Sequence, residues 1–367
     1  MSGRRRRWLL MATAGLLGSA VLAVAAVALL GGCGELGYYR QSVAGHWDVL
    51  SRARAVHDVR ADSSTEPGLR ERLALAQRMR RFAVEQLHLP DNASYTRFAD
   101  LQRDAVVWNV VAAPPLSLTL KTWCFPVMGC VGYRGYYQRD EADQLAESLR
   151  REGLEVAVYG VPAYSTLGWS NWVGGDPLLN TFIRWPEGEL ARILFHELAH
   201  QVVYVNDDTM FNESFATAVE RAGGQRWLQM HAGEAARAEY ERLDARRRDF
   251  RALTLAHRER LSALYASPAD ESEKLKFKAV LREQLLREYE ALKRERWGGF
   301  SGYDAWVLAA NNASFGVQAA YDQLVPAFTC LLDREGGDMA RFYGQVRHLA
   351  DLPAAQRRAH LQALGDC

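Results

Sequence analysis

Leu190-Ala191-Arg192-Ile193-Leu194-Phe195-His196-Glu197-Leu198-Ala199-His200-Gln201-Val202-Val203 is the stretch on which the reading of this chain turns. Leu190, Ile193, Leu194, Leu198 and Val202 recur at the spacing of one helical face. A helix is therefore predicted to open at Pro186-Glu187 and run to about Tyr204. His196 and His200 are four residues apart, just over one turn, so both imidazoles leave the same face and can grip one metal ion. Glu197 lies beside the remaining coordination position, where it can take a proton from water and pass it to a leaving group. Residues 196–200 form the H-E-x-x-H pattern.

A catalytic zinc takes three protein ligands and keeps one place for water. The next candidates follow in Phe211-Asn212-Glu213-Ser214-Phe215-Ala216-Thr217-Ala218-Val219-Glu220. Glu213 and Glu220 are seven apart and share a helix face, so on residues alone either completes the site. Asp208 or Thr209 is the expected cap of this second helix, and Gly223-Gly224 its expected end.

Working outward, Leu69–Leu87 has helical periodicity after the break at Pro67-Gly68, and Leu36 to about Arg60 reads as helical. Val106–Ala112 is a strand-like apolar run, Cys124–Tyr137 suggests short strands and turns, Asp140–Arg151 a helix, and Glu155–Tyr159 a strand. Leu178–Trp185, after the Gly174-Gly175-Asp176-Pro177 loop, reads as a further strand, expected to form an edge that pairs with extended substrate. From 232 to 296 charges dominate on both sides of Ser267-Pro268-Ala269-Asp270, which predicts two long antiparallel helices. Such an arm is first a solvated surface and second a protein-partner site. The expected fold is α+β, mainly α: a small sheet, the metal helix below it, and a helical lobe after. The catalytic domain would comprise residues 33–231 and 297–367, with 232–296 as an inserted hairpin.

The N-terminus predicts the compartment. Arg4-Arg5-Arg6-Arg7 precedes an uncharged run from Trp8 to Leu30, then Leu30-Gly31-Gly32-Cys33. A basic start, an apolar segment and small residues before a cysteine read as a bacterial lipoprotein signal over residues 1–32, with Cys33 acylated. A membrane-spanning anchor is the rival, because the run is long enough to cross a bilayer. Gly34 after the cysteine favours a periplasm-facing site on the outer membrane over the inner one. With 45 Lys and Arg against 44 Asp and Glu, the chain lacks the basic surface that nucleic-acid binding needs. Four cysteines follow Cys33, an even number that favours disulfides outside the cytoplasm. Cys124 and Cys130, flanking a turn-rich loop, form the favoured pair, with Cys330–Cys367 as the second.

His196-Glu197-Leu198-Ala199-His200-Gln201 with Asn212-Glu213-Ser214-Phe215-Ala216 resembles the aminopeptidase N family of zinc peptidases, locally. The whole chain is similar to the predicted lipoprotein aminopeptidases of bacteria. That likeness runs through Gly32-Cys33, Leu36-Gly37-Tyr38-Tyr39, Thr122-Trp123-Cys124-Phe125-Pro126, Tyr133-Arg134-Gly135-Tyr136, Arg184-Trp185-Pro186, Asn311-Asn312 and Val325-Pro326-Ala327-Phe328. The resemblance implies a zincin-like fold, Zn2+ as cofactor, peptides as substrate, Glu197 as the catalytic base and Glu213 as the third ligand after His196 and His200. Glu220 is then left to orient a histidine. Twelve residues separate His200 from Glu213, fewer than aminopeptidase N uses, and the Gly-Ala-Met-Glu-Asn exopeptidase segment of that family is missing. By spacing alone Glu220 suits a thermolysin-like pattern. Tyr321 and Tyr303 are candidates for the oxyanion donor such a reaction needs, Tyr321 first. A scaffold lipoprotein binding a partner through the hairpin, and a zinc hydrolase of a non-peptide amide, are the competing functional classes.

Overall fold

A computed structural model describes residues 36–125 and 129–365. The segment 1–32 and Cys33 lie outside the described residues, as does Cys367. The chain divides into two compact units, residues 1–51 and 52–367. Of the first, residues 36–51 are described; they belong to helix α1, residues 36–52.

Among the described residues the second unit is mainly helical, the short α2 (Val56–Ala61) and α9 (Asp304–Ala309) included, with three small sheets. β1 (Arg54–Ala55), β2 (Arg97–Ala99) and β8 (Leu178–Leu179) form one sheet, in which β8 runs parallel to β2. β6 (Arg134–Tyr136), β3 (Val107–Ala113) and β7 (Glu155–Val161) form an antiparallel sheet centred on β3, with Trp108 opposite both Tyr136 and Gly160. β4 (Trp123–Phe125) and β5 (Gly129–Val131) make a hairpin closed by the Cys124–Cys130 disulfide. Cys330 is disulfide-bonded; its expected partner, Cys367, falls beyond the description.

α4 (Arg139–Arg151) and α10 (Asn312–Asp322) both pack on the central sheet. Val111 and Ala113 of β3 meet Ala313 of α10 in a small apolar cluster. The helical core is built on α3 (Pro67–Leu87), α5 (Glu187–Ala199) and α6 (Thr209–His231). Phe82 of α3 lies against Phe195 of α5 and edge-on to Trp227 of α6. Phe215 of α6 meets Phe328 of α11 (Val325–Arg334) and Phe342 of α12 (Met339–Asp351). α13 (Ala354–Leu364) closes this layer: buried Arg357 donates two hydrogen bonds to Asp208, the residue that caps α6 by accepting from the Phe211 amide.

Two sequence expectations fail here. Leu178–Trp185 is not a strand; pairing stops at Leu179, and the chain turns through residues 180–185 into α5. Asn180 causes the turn, because its side chain accepts from the Leu101 amide and donates to the Arg103 carbonyl. Leu178 and Leu179 are buried, so no edge is offered to a substrate there. Nor does α6 end at Gly223-Gly224. A Cβ on Gly223 would stand 2.6 Å from Leu87 and 2.9 Å from Phe195, and one on Gly224 2.8 Å from Arg192. These glycines let three helices approach closely, and α6 continues to His231. Gly223→Val is therefore expected to destabilise the fold by the ~1–3 kcal/mol of an overpacked core, read as a lower melting temperature. Gly344, inside α12 with nothing within 4 Å of its would-be Cβ, should behave oppositely. Gly344→Ala is expected to gain up to ~1 kcal/mol, and paired thermal melts check the contrast in sign.

α7 (Glu234–Ala266) and α8 (Glu271–Glu295) run antiparallel, with Asp249 beside Arg296 at one end and Lys274 bonded to the Tyr265 carbonyl at the other. Asp270 and Glu273 form a reciprocal capping box at the start of α8. The base of the pair shares an apolar cluster of Phe250, Leu253, Leu261, Leu285 and Tyr289 with Trp297, Val307 and Phe315. Within it His257 is buried against the Phe315 ring, its Nδ1 without a partner. Burial, helped by Arg260 and opposed by Glu288, pulls the His257 imidazole down to about 4. The unfolded chain binds that proton near pH 6.5 and the folded one does not, so stability is expected to fall as pH drops from about 6.5 towards 4. A His257→Leu variant should flatten that part of the melting-temperature profile.

Candidate metal centre

α5 and α6 pack side by side and carry the site between them. α5 is apolar over most of its surface, so Leu190, Leu194, Phe195 and Leu198 sink into the core and draw His196 and Glu197 in with them; both are only 9 % exposed. The helix ends at Ala199, with His200 as its C-terminal cap, rather than running to Tyr204. His200 keeps helical backbone angles there, φ −58° and ψ −21°, which is why the four-residue spacing still brings the two imidazoles together. The chain then turns back within a few residues. Asn212 holds that turn: its side chain accepts from the Val205 amide and donates to the Val205 carbonyl, both at 2.8 Å. The β4–β5 hairpin leans on the same connection, with the Cys130 amide donating to Asp207.

Three donor atoms converge. His196 Nε2 and His200 Nε2 are 3.2 Å apart, and Glu213 Oε2 lies 3.3 Å from the first and 3.7 Å from the second. A tetrahedral ion bonded at ~2.0–2.1 Å to each of three atoms holds them about 3.3–3.4 Å from one another. The separations therefore fit one small cation bound by His196, His200 and Glu213, the same trio whose ligand atoms lie within reach of a shared ion. Burial lowers the His200 imidazole to about 4, so the ring is neutral and its lone pair free to coordinate. Glu213 faces the opposite pull. Burial would raise it, but His200 and His196 hold it below the ordinary carboxylate range, so that it stays charged.

Glu220 faces the back of His196. Its Oε2 is 2.9 Å from His196 Nδ1, while its other oxygen accepts from Arg192. Burial alone would raise its pKa, yet Arg192 and His196 bring it down to about 2. Arg192 is itself buried, with Glu189 3.9 Å away on the next turn and Arg247 of α7 on Glu189 in turn. This chain of charges fixes the orientation of His196 from behind. Glu197 is pushed up to about 8, first by burial and then by the neighbouring charges of Glu213, Asp176 and Glu220, with His196 pulling the other way. A carboxyl poised that high is a proton acceptor and donor near neutral pH.

Tyr321 is brought to the same place. Its ring lies nearly parallel to His196, centroids 6.3 Å apart. α10 holds it there from both ends. Asn311 caps the helix and bonds to β7, Asn312 ties it to the Pro114 and Pro115 carbonyls, and Asp322 accepts from Arg221 and Arg251. Tyr303, the other candidate, is stacked flat on Phe250 at 4.0 Å in the hairpin cluster and does not join the site.

Two residues beside the site carry no motif that sequence reasoning could use. Asp176 is buried and accepts from the Thr166 amide and from the Thr166 and Ser170 hydroxyls, pinning the 164–176 loop. Tyr95 is held at φ +64° by the Asp176 carbonyl and by Gln77, its hydroxyl buried without a partner. Ser94 and Asn92 of the same loop bond Gln201, next to His200.

A family model described as "Putative aminopeptidase" matches residues 37–361. No curated protein and no solved structure matches the chain.

Proposed function

The chain belongs to the family described as "Putative aminopeptidase", and from that membership we propose that it is a zinc-dependent peptidase, an aminopeptidase of zincin-like architecture. The observation that carries the reading is the meeting of His196, His200 and Glu213 at tetrahedral spacing beside the buried carboxyl of Glu197. His196, His200 and Glu213 would hold Zn2+, which when bound supplies a Lewis acid for the peptide carbonyl and eases ionisation of water. Glu197 accepts the proton of the attacking water and returns it to the departing amine; its raised pKa suits both halves of that transfer. Tyr321 offers its hydroxyl to the oxygen on which negative charge develops. Glu220, backed by Arg192, orients His196.

We further propose that an acylated Cys33 tethers the enzyme to a bacterial envelope membrane, the outer membrane before the inner, facing the periplasm. The α7–α8 pair, tied to the site region through Arg247–Glu189 and Arg251–Asp322, is the surface on which a protein partner would act.

Elemental analysis of the purified chain, run beside hydrolysis of peptides with free and blocked amino termini, tests this reading. One zinc per chain and release of the first residue only from free termini are expected. A folded chain that takes up no zinc would sink the enzyme. Zinc binding with cleavage of blocked peptides would make it an endopeptidase, and cleavage of cell-wall amides alone would move the substrate class.

A further inference from the structure

We propose that one face of α1 is a membrane-contact surface that lies in the interface of a lipid bilayer. Leu36, Arg40, Val43, Ala44 and Trp47 recur at helical spacing and are exposed. Leu36 is 44 %, Val43 71 % and Trp47 68 % exposed, a large apolar outlay for so short a helix. The opposite face is different: Ser42 donates back to the Tyr38 carbonyl, and Val49 is fully buried. The stripe is therefore a feature of one side rather than of an apolar helix.

What covers it follows from where the chain comes from. The uncharged run Trp8–Leu30 ends six residues before Leu36, and Cys33 lies three residues before it. Three residues reach at most ~10 Å. Whether residues 8–30 span the bilayer or Cys33 carries acyl chains, hydrocarbon begins within a few residues of the stripe. Tethering raises the local concentration of bilayer at α1 far above what three apolar side chains could win alone. Trp47 also suits the interface, where an indole keeps its ring in the apolar layer and its N–H in the wet one. Charge adds little, because α1 carries only Arg40 and Arg52 against Asp48. The contact should therefore form on neutral lipid and need no anionic headgroup. The inference rests on membrane attachment through residues 1–33 and is independent of the hydrolytic reading.

The test uses the full chain, purified from membranes and reconstituted into phosphatidylcholine vesicles, with and without phosphatidylglycerol. Val43 and Trp47 are replaced in turn by an environment-sensitive fluorescent amino acid, and Glu283 on the charged helix α8 serves as control. Blue-shifted emission at 43 and 47 is expected in both vesicle types, with several-fold stronger quenching by a lipid-borne spin label than at 283. Iodide should quench mainly the control. Equal iodide access at all three positions would overturn the proposal. So would protection that needs phosphatidylglycerol, or protection that persists in detergent and grows with protein concentration, which would assign the stripe to a second copy of the chain. A reconstituted chain that fails to float with vesicles would remove the attachment and this surface together, whatever its zinc content.

Discussion

Replacing Glu197 by Gln is expected to leave zinc binding at the wild-type level and to lower kcat/KM on a free-terminus peptide by about 10³-fold, within the range ascribed to a general acid–base group. The two side chains have the same shape, so the packing around a residue 9 % exposed is preserved. What is lost is the ability to carry a proton at the one carboxyl of the site that burial and the charges of Glu213, Asp176 and Glu220 raise to about 8. The same crowding makes the substitution harmless or slightly helpful to folding, because a carboxyl held in a region of like charge is replaced by a neutral amide. Thermal melts should show no loss. A Glu197→Gln enzyme that keeps its turnover would mean that Glu197 is a buried structural carboxyl and that the reaction, if there is one, uses another base.

The second large effect separates the two glutamates of α6. Glu213→Ala should abolish stable zinc binding, since its Oε2 is the atom that sits 3.3 and 3.7 Å from the two imidazole Nε2 atoms. Glu220→Ala should retain the metal with affinity weaker by about 10–100-fold, the usual cost of losing a partner that orients a ligand. Folding should respond in the reverse order. Removing Glu220 strands the buried Arg192 guanidinium, which costs about 3–5 kcal/mol. Glu213 is paired with the two imidazoles and not with a guanidinium, so its loss costs less. A double variant, Arg192→Leu with Glu220→Leu, should recover much of the lost stability without recovering zinc affinity. Zinc titrations and melts on the three proteins decide the matter. Zinc held by Glu213→Ala but lost in Glu220→Ala would reverse the assignment and place the thermolysin-like spacing above the flanking residues.

Periodicity was most telling where one element makes its own pattern. α3, α4, β3, β7 and the start of α6 at Asp208 can be read from apolar spacing, Pro breaks and a capping side chain, because those signals are local. It misled where a residue serves a neighbour. Gly223-Gly224 looks like a helix stop, yet it is a notch for Leu87, Phe195 and Arg192, three side chains from other segments. Leu178–Trp185 looks like a strand, but Asn180 spends its side chain on residues 101 and 103 and turns the backbone. Neither partner set can be inferred from the stretch itself.

The site divides in the same way. His196, Glu197 and His200 were legible because a helix of fixed pitch projects positions i and i+4 from one face, so covalent geometry alone places the two rings together. Glu213 and Glu220 were legible as a pair for the same reason, seven residues being two turns. Which of them meets the imidazole Nε2 atoms depends on how far α6 is displaced along α5. That displacement is set by the Asn212–Val205 clamp, the Asp208–Arg357 fork and the glycine notch. Asp176, Tyr95 and the Arg192–Glu220 pair come from segments far apart in the chain and carry no spacing that marks them. Local spacing along the chain sets the chemistry on offer and the faces that present it. Which of those groups meet is a matter of how the helices pack, because the separations that count run between helices, where packing and not pitch sets the distance.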